Sequence, residues 1–138
     1  MHRLASLSLL CLLATSFAPG PARAEERLTV KTKSGIEYTS LREGTGATPR
    51  ASDTVSVHYR GTLLNGREFD SSYKRGTPTE FQLDGVIRCW TEGLQMMKVG
   101  GKAELYCPSN LAYGEQGMMG AIPPNASLIF EVELLAVR

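Results

Sequence analysis

The stretch Thr54-Val55-Ser56-Val57-His58-Tyr59-Arg60-Gly61-Thr62-Leu63-Leu64-Asn65-Gly66-Arg67-Glu68-Phe69-Asp70 decides the architecture. Val55, Val57 and Tyr59 alternate with Thr54, Ser56, His58 and Arg60, the period of two expected of a strand with one buried face. Asn65-Gly66 then sits between two such runs and predicts a hairpin, because both residues accept positive φ. The return arm carries Phe69. His58 falls on the polar face with Ser56 and Arg60 and reads as an ordinary surface residue.

Outward from this hairpin the same period recurs. Ala103, Leu105 and Cys107 alternate with Lys102, Glu104 and Tyr106, and Leu128, Phe130, Val132 and Leu134 alternate with Ile129, Glu131 and Glu133. Leu28 to Lys31 and Ile36 to Leu41 form a weaker pair. One stretch has helical spacing: Ile87, Trp90, Leu94 and Met97, stopping at Val99-Gly100-Gly101. Gly93 inside it weakens the intrinsic propensity by roughly 1 kcal/mol, so tertiary packing must hold it. Residues 110–125, rich in turn-formers and closed by Pro123-Pro124, read as a long loop, and long loops in compact domains are often functional. The sum predicts an α+β domain, an antiparallel sheet with one short helix packed across it.

At the N-terminus, His2 and Arg3 precede an apolar run from Leu4 to Phe17, and Pro19-Gly20-Pro21 leads into Ala22-Arg23-Ala24. That is the layout of a secretory signal peptide over residues 1–24. The run is shorter than the about 18 residues of a membrane-spanning helix, so no membrane span is expected. Cys11 follows Leu10 and lies inside the run, which argues against lipidation. The full chain of 138 residues carries 15 Lys and Arg against 14 Asp and Glu, net +1, with three cysteines. Removing residues 1–24 takes away Arg3, Arg23 and Cys11, leaving 13 basic and 14 acidic residues. Such a near-neutral balance supplies no field for a phosphate backbone, so no nucleic acid partner is expected. A periplasmic or secreted location is, and it permits disulfides.

Common catalytic constellations are missing. One histidine and two cysteines in the processed chain do not make a zinc site, so no metal is expected. Gly100-Gly101-Lys102 lacks the first glycine of a phosphate loop, since position 96 is Met, and Ala103 replaces its Ser or Thr. No Gly-x-Ser-x-Gly elbow accompanies His58. What stands out is an aromatic set on separate elements, Tyr59, Phe69, Phe81, Trp90, Tyr113 and Phe130, with Asp70 beside Phe69.

Val57-His58-Tyr59-Arg60-Gly61-Thr62-Leu63, Phe69-Asp70-Ser71-Ser72, Val86-Ile87-x-x-Trp90-x-Glu92-Gly93, Leu111-Ala112-Tyr113-Gly114 and Ile122-Pro123-Pro124-Asn125 occur in the order and spacing of the FKBP-type peptidyl-prolyl cis-trans isomerases. The resemblance covers residues 35–138, leaving residues 25–34 as a short extension. It implies a twisted five-stranded antiparallel sheet wrapped around one short helix, and rotation of X-Pro bonds without a cofactor. It implies Asp70 and Tyr113 as catalytic residues and Tyr59, Phe69, Val86, Ile87, Trp90, Ile122 and Phe130 as the substrate-binding wall, with Trp90 as its floor.

By the same resemblance the partners are unfolded or Pro-containing protein segments, together with macrolide inhibitors such as tacrolimus or rapamycin. Thr79 stands where a pocket aromatic is common and Met118 where some members have His, departures that bear on substrate preference and macrolide affinity. Arg75 matches a basic residue able to pair with Asp70, and reads equally well as an exposed loop charge. Cys89 and Cys107 either form a disulfide, which stabilises by about 3 kcal/mol in the chain-entropy model, or fill the core as two free thiols. Some exported relatives dimerise through a long N-terminal helical segment; residues 25–34 are too few for one, so a monomer is expected. Two functions are carried forward: an isomerase acting on exported proteins as they fold, and a chaperone-like or adaptor module that binds Pro-containing segments with weak turnover.

Overall fold

The computed structural model describes residue 20 and residues 27–138. The signal-peptide assignment at residues 1–24 falls almost wholly outside the described residues. In chain order the elements are β1 (Thr29–Lys31), β2 (Glu37–Arg42), β3 (Thr54–Leu63), β4 (Glu68–Ser71), α1 (Ser72–Arg75), β5 (Thr79–Gln82), α2 (Arg88–Gly93), β6 (Lys102–Cys107) and β7 (Leu128–Val137). All strands pair antiparallel, in the order β1-β2-β6-β7-β3-β4, with β5 beside β3.

The α+β architecture is the expected one. The sheet has seven strands rather than five, because the short β1 and β5 extend its edges. Strand β3 is the axis of the site. One of its sides runs along β7 from Val55 to Leu63, and the other is shared by β5 over Thr54–Val57 and by β4 over Arg60–Thr62. The period-2 reading of β3 holds: Val55, Val57, Tyr59, Gly61 and Leu63 are buried. Ala103, Leu105 and Cys107 of β6 and Leu128, Phe130, Val132 and Leu134 of β7 bury the same face.

The β3–β4 hairpin closes in a way its dipeptide did not predict. Only Gly66 takes positive φ, at 89°. Asn65 works instead through its side chain, accepting from the Arg67 N–H at 2.9 Å, a local side-chain turn that Asn makes readily.

Helix α2 is shorter than its apolar spacing suggests, passing at Leu94–Met96 into a 3₁₀ turn. Packing gives the reason for Gly93: a Cβ there would lie 2.9 Å from Leu105 Cδ1, so the glycine lets the helix sit against β6. The two cysteines are joined by a disulfide that ties this helix to the same strand, with Cα atoms 5.7 Å apart and both residues fully buried. A second helix, α1, is a single turn started by the Ser71 side chain, which accepts from the Lys74 N–H, and ended by Gly76 in the left-handed region.

His58 is more than a surface residue. Its ring stacks on Tyr73 with centroids 4.7 Å apart, and Nδ1 lies 2.8 Å from Ser72 Oγ. That buried hydroxyl also accepts from the Tyr59 N–H at 2.7 Å, fixing the start of α1 against β3.

Candidate active site

A cavity of about 390 Å³ opens between the sheet and α2, within the usual size of small-molecule clefts. Its wall draws one or two residues from each neighbouring element. Tyr59 comes from β3, Phe69 and Asp70 from β4, Phe81 from β5, Val86 and Ile87 from the approach to α2, Trp90 from α2, Phe130 from β7 and Tyr113 from the long loop, with Gly85 at the edge. Eight of the nine expected site residues thus meet in one place. Ile122 is the exception: it is buried in the core and lines a separate groove with Met118, Met119 and Pro123.

Phe81, which stands out in the aromatic set but is not among the site residues that the resemblance implies, joins them in the wall. Its ring was the signal, since Thr79-Glu80-Phe81-Gln82 offers only one apolar residue to a period-2 reading.

The floor is an edge-to-face aromatic web. Trp90 meets Tyr59 at 5.0 Å, Phe81 at 5.3 Å and Phe130 at 5.4 Å between centroids, each with the ring planes 81–88° apart. Phe69 meets Phe130 at 5.6 Å. Such contacts place the positive edge of one ring on the negative face of the next and lock the rotamers. The Trp90 Nε1–H is buried without a partner among the described residues, an unsatisfied donor in the cleft floor.

At the mouth, four polar side chains form one network. The Tyr59 hydroxyl donates to Asp70 Oδ2, and Arg75 Nη1 donates to Asp70 Oδ1 at 2.5 Å. Arg75 Nη2 reaches the Tyr59 oxygen and Thr79 Oγ1, both at 3.1 Å. Of the two readings of Arg75, the pairing one is realised. Thr79 supplies no aromatic wall, but it anchors the guanidinium.

Partial burial acts to raise the Asp70 carboxyl, yet the Tyr59 hydroxyl and Arg75 outweigh it and hold it below the ordinary carboxylate range. Burial raises Tyr59, with its bond to Asp70 adding to the effect. Burial raises Tyr113 as well, helped by the nearby Asp70 charge, so its hydroxyl stays protonated at neutral pH. Among the described residues that hydroxyl makes no hydrogen bond. The cleft therefore presents a free hydroxyl donor over an aromatic floor, beside a carboxylate whose two oxygens are already engaged. No cluster of three or more His, Cys, Asp or Glu among the described residues is arranged to hold a metal ion.

Comparison with known proteins gives the family and the fold. The sequence profile of the FKBP-type peptidyl-prolyl cis-trans isomerases matches residues 45–135. The chain is 51% identical over 115 residues to the FKBP-type peptidyl-prolyl cis-trans isomerase FkpA of Escherichia coli, covering 83% of this chain and 42% of that protein. It is 51% identical over 104 residues to the peptidyl-prolyl cis-trans isomerase Mip of Coxiella burnetii, covering 75% and 45%. The chain thus spans less than half the length of these two relatives. Among solved structures, FkpA of E. coli superposes with a TM-score of 0.79 at 50% identity, covering 83% of this chain and 54% of that one. A peptidyl-prolyl cis-trans isomerase of Pseudomonas syringae superposes with a TM-score of 0.75 at 43% identity, covering 79% and 80%.

Proposed function

The chain belongs to the FKBP-type peptidyl-prolyl cis-trans isomerases, and from that premise we propose that it accelerates X-Pro rotation in other proteins as they fold. What carries the reading is the convergence of an aromatic cleft, a free Tyr113 hydroxyl and a fully engaged Asp70 carboxylate in one cavity. X-Pro isomerisation takes tens to hundreds of seconds unaided, and its barrier comes from amide resonance. Resonance leaves negative charge on oxygen and positive charge on nitrogen, so water favours the planar ground state over the twisted transition state. Seating the proline ring on Trp90, between Tyr59, Phe81 and Phe130, withdraws the amide from that water.

The Tyr113 O–H donates to a substrate carbonyl and holds the chain near the twisted geometry. Asp70 is a poor proton acceptor with both oxygens bonded and its pKa depressed. Its part is to hold Tyr59 and Arg75 in place and to set a negative charge near the carbonyl carbon that becomes electron-poor on twisting. Macrolide inhibitors would enter the same cleft, with Thr79 leaving out one aromatic contact.

We assign residues 1–24 to an export signal, 25–34 to an extension and 35–138 to the isomerase domain, and place its work in the periplasm or outside the cell. The charge, apolar and small-residue order of the N-terminus supports this, as does a disulfide. Among the described residues no helix is long and apolar enough to cross a membrane.

Exchange NMR on a proline peptide tests the activity: sub-stoichiometric protein broadens the cis and trans lines, and Asp70→Ala and Tyr113→Phe each reduce the broadening. No broadening by the folded wild-type protein leaves the binding-module reading instead.

A further inference from the structure

Four residues beyond Tyr113 the chain forms a small, tightly held tip. Met118 and Ile122 bridge one another with two backbone hydrogen bonds of 2.8 Å, and Gly117 and Gly120 turn the chain with φ of 60° and 79°. Gly117 admits no side chain, since a Cβ would lie 2.4 Å from the Ile122 carbonyl oxygen. From the hairpin, Arg67 Nη2 reaches the carbonyls of Gly120 and Ala121, both at 3.4 Å. This backbone holds two thioethers into solvent: Met119 is 101% exposed and Met118 43%, whereas Met96, outside the loop, is 39% exposed and Met97 2%. The two flank a groove of about 440 Å³ whose other walls include Ile122, Pro123 and Pro124.

An apolar side chain wholly in water at the end of a pinned loop gains nothing for the fold, and a solvent-exposed thioether is readily oxidised. We propose that Met119, with Met118 behind it, is a reversible oxidation site that tunes the hold of this loop on protein clients. The oxidant is hydrogen peroxide. A lone pair on Sδ attacks one peroxide oxygen, the S–O bond forms as the O–O bond breaks, and the departing hydroxide takes the proton from the transferred oxygen and leaves as water. Sulfur loses two electrons and the peroxide gains them. A thiol-driven methionine sulfoxide reductase reverses the step.

The consequence rests on the isomerase reading. The Gly117 N–H bonds the carbonyl of Tyr113 at 3.1 Å, so the tip is continuous with the cleft wall. A client chain long enough to run from the cleft past the tip lays an apolar side chain against the methionines, and a sulfoxide makes that contact polar.

Hydrogen peroxide titration of the full protein, followed by peptide mass spectrometry, tests the site. Met119 should oxidise at least about tenfold faster than Met97, as exposure dictates, and the reductase should restore it. Equal rates, or loss of folding on oxidation, overturn the site whatever the activity. Oxidation should slow catalysed refolding of a proline-limited protein about threefold or more while leaving a short proline peptide unaffected, because only the longer client reaches the tip. M118L/M119L, apolar but inert, should keep full refolding activity after peroxide. Unchanged refolding by oxidised protein, or equal slowing of the short peptide, overturns the tuning. An unmodified protein inactive on the short peptide sinks the isomerase reading instead, and the oxidation map still decides the site.

Discussion

Arg75 Nη1 lies 2.5 Å from Asp70 Oδ1 while the Tyr59 hydroxyl occupies the other oxygen of the same carboxylate. The Asp70 charge is therefore paired in the cleft wall, still ionised but with neither oxygen free. With its pKa lowered, Asp70 contributes stability that is present above the unfolded value and is lost as pH falls through the depressed folded value. Activity should follow the same sign. The kcat/KM for a proline peptide should be flat from about pH 5 to 8, with any acid limb below that window. Arg75→Ala should move the limb toward neutral. A limb between pH 6 and 7 in the wild-type protein would show that another group controls turnover.

Tyr113 isolates the donor from the packing. Its hydroxyl has no partner among the described residues, so Tyr113→Phe removes one substrate hydrogen bond and nothing from the fold. A net bond of about 1 kcal/mol corresponds to about a fivefold fall in kcat/KM. Thermal unfolding should be unchanged. A drop in Tm, or kinetics identical to wild type, contradicts the assignment.

How far the sequence carried the reading depends on how each residue is held. Strand β3 was legible because ten consecutive residues alternate, and the burial of Val55, Val57 and Tyr59 follows directly. Phe81 was legible as an aromatic but its strand was not, since β5 has four residues and a single apolar one facing the cleft. Ile122 was placed by motif resemblance, but the Met118–Ile122 bridge turns its side chain into the core and the outer groove. Residue type and spacing can find a wall, while side-chain direction in an irregular loop depends on backbone bonds that no periodicity encodes. The fate of His58 has the same origin, because its partner Ser72 belongs to a one-turn helix with no periodic signal.

The Cys89–Cys107 link ties the residue before Trp90 to β6, across a sequence separation of 18. Helix α2 has six residues and no side-chain cap, so it has little stability of its own. Replacing both cysteines by Ala should destabilise the protein by about 3 kcal/mol and lower Tm by about 10 °C. Because Trp90 rides on this helix, proline-peptide affinity should fall as well, even at temperatures where the variant is fully folded. Calorimetry together with peptide binding at low temperature separates the two effects. Unaltered Tm means that the bridge carries no stability, and unaltered affinity means that Trp90 is held by its ring contacts alone.

Gly61 tests the aromatic wall without touching a polar group. It lies opposite Phe130 in the β3–β7 register, and a Cβ on it would come 2.5 Å from Phe69 Cζ and 2.8 Å from Phe130 Cε1. Both rings are rigid and already locked edge to face, so neither can yield like the end of a flexible chain. Gly61→Ala must displace them, and the cavity is the open side. Overpacking of this kind costs about 1–3 kcal/mol, and intrusion of Phe69 into the cleft should raise KM several-fold. Gly66→Ala is the control. At φ 89° with no heavy atom within 4 Å of the added Cβ, it strains the hairpin turn and leaves the cleft alone. The two variants should both lower Tm, but only Gly61→Ala should raise KM. If Gly66→Ala raises KM as much, the effect runs through general loosening of β3 and β4 rather than through the rings.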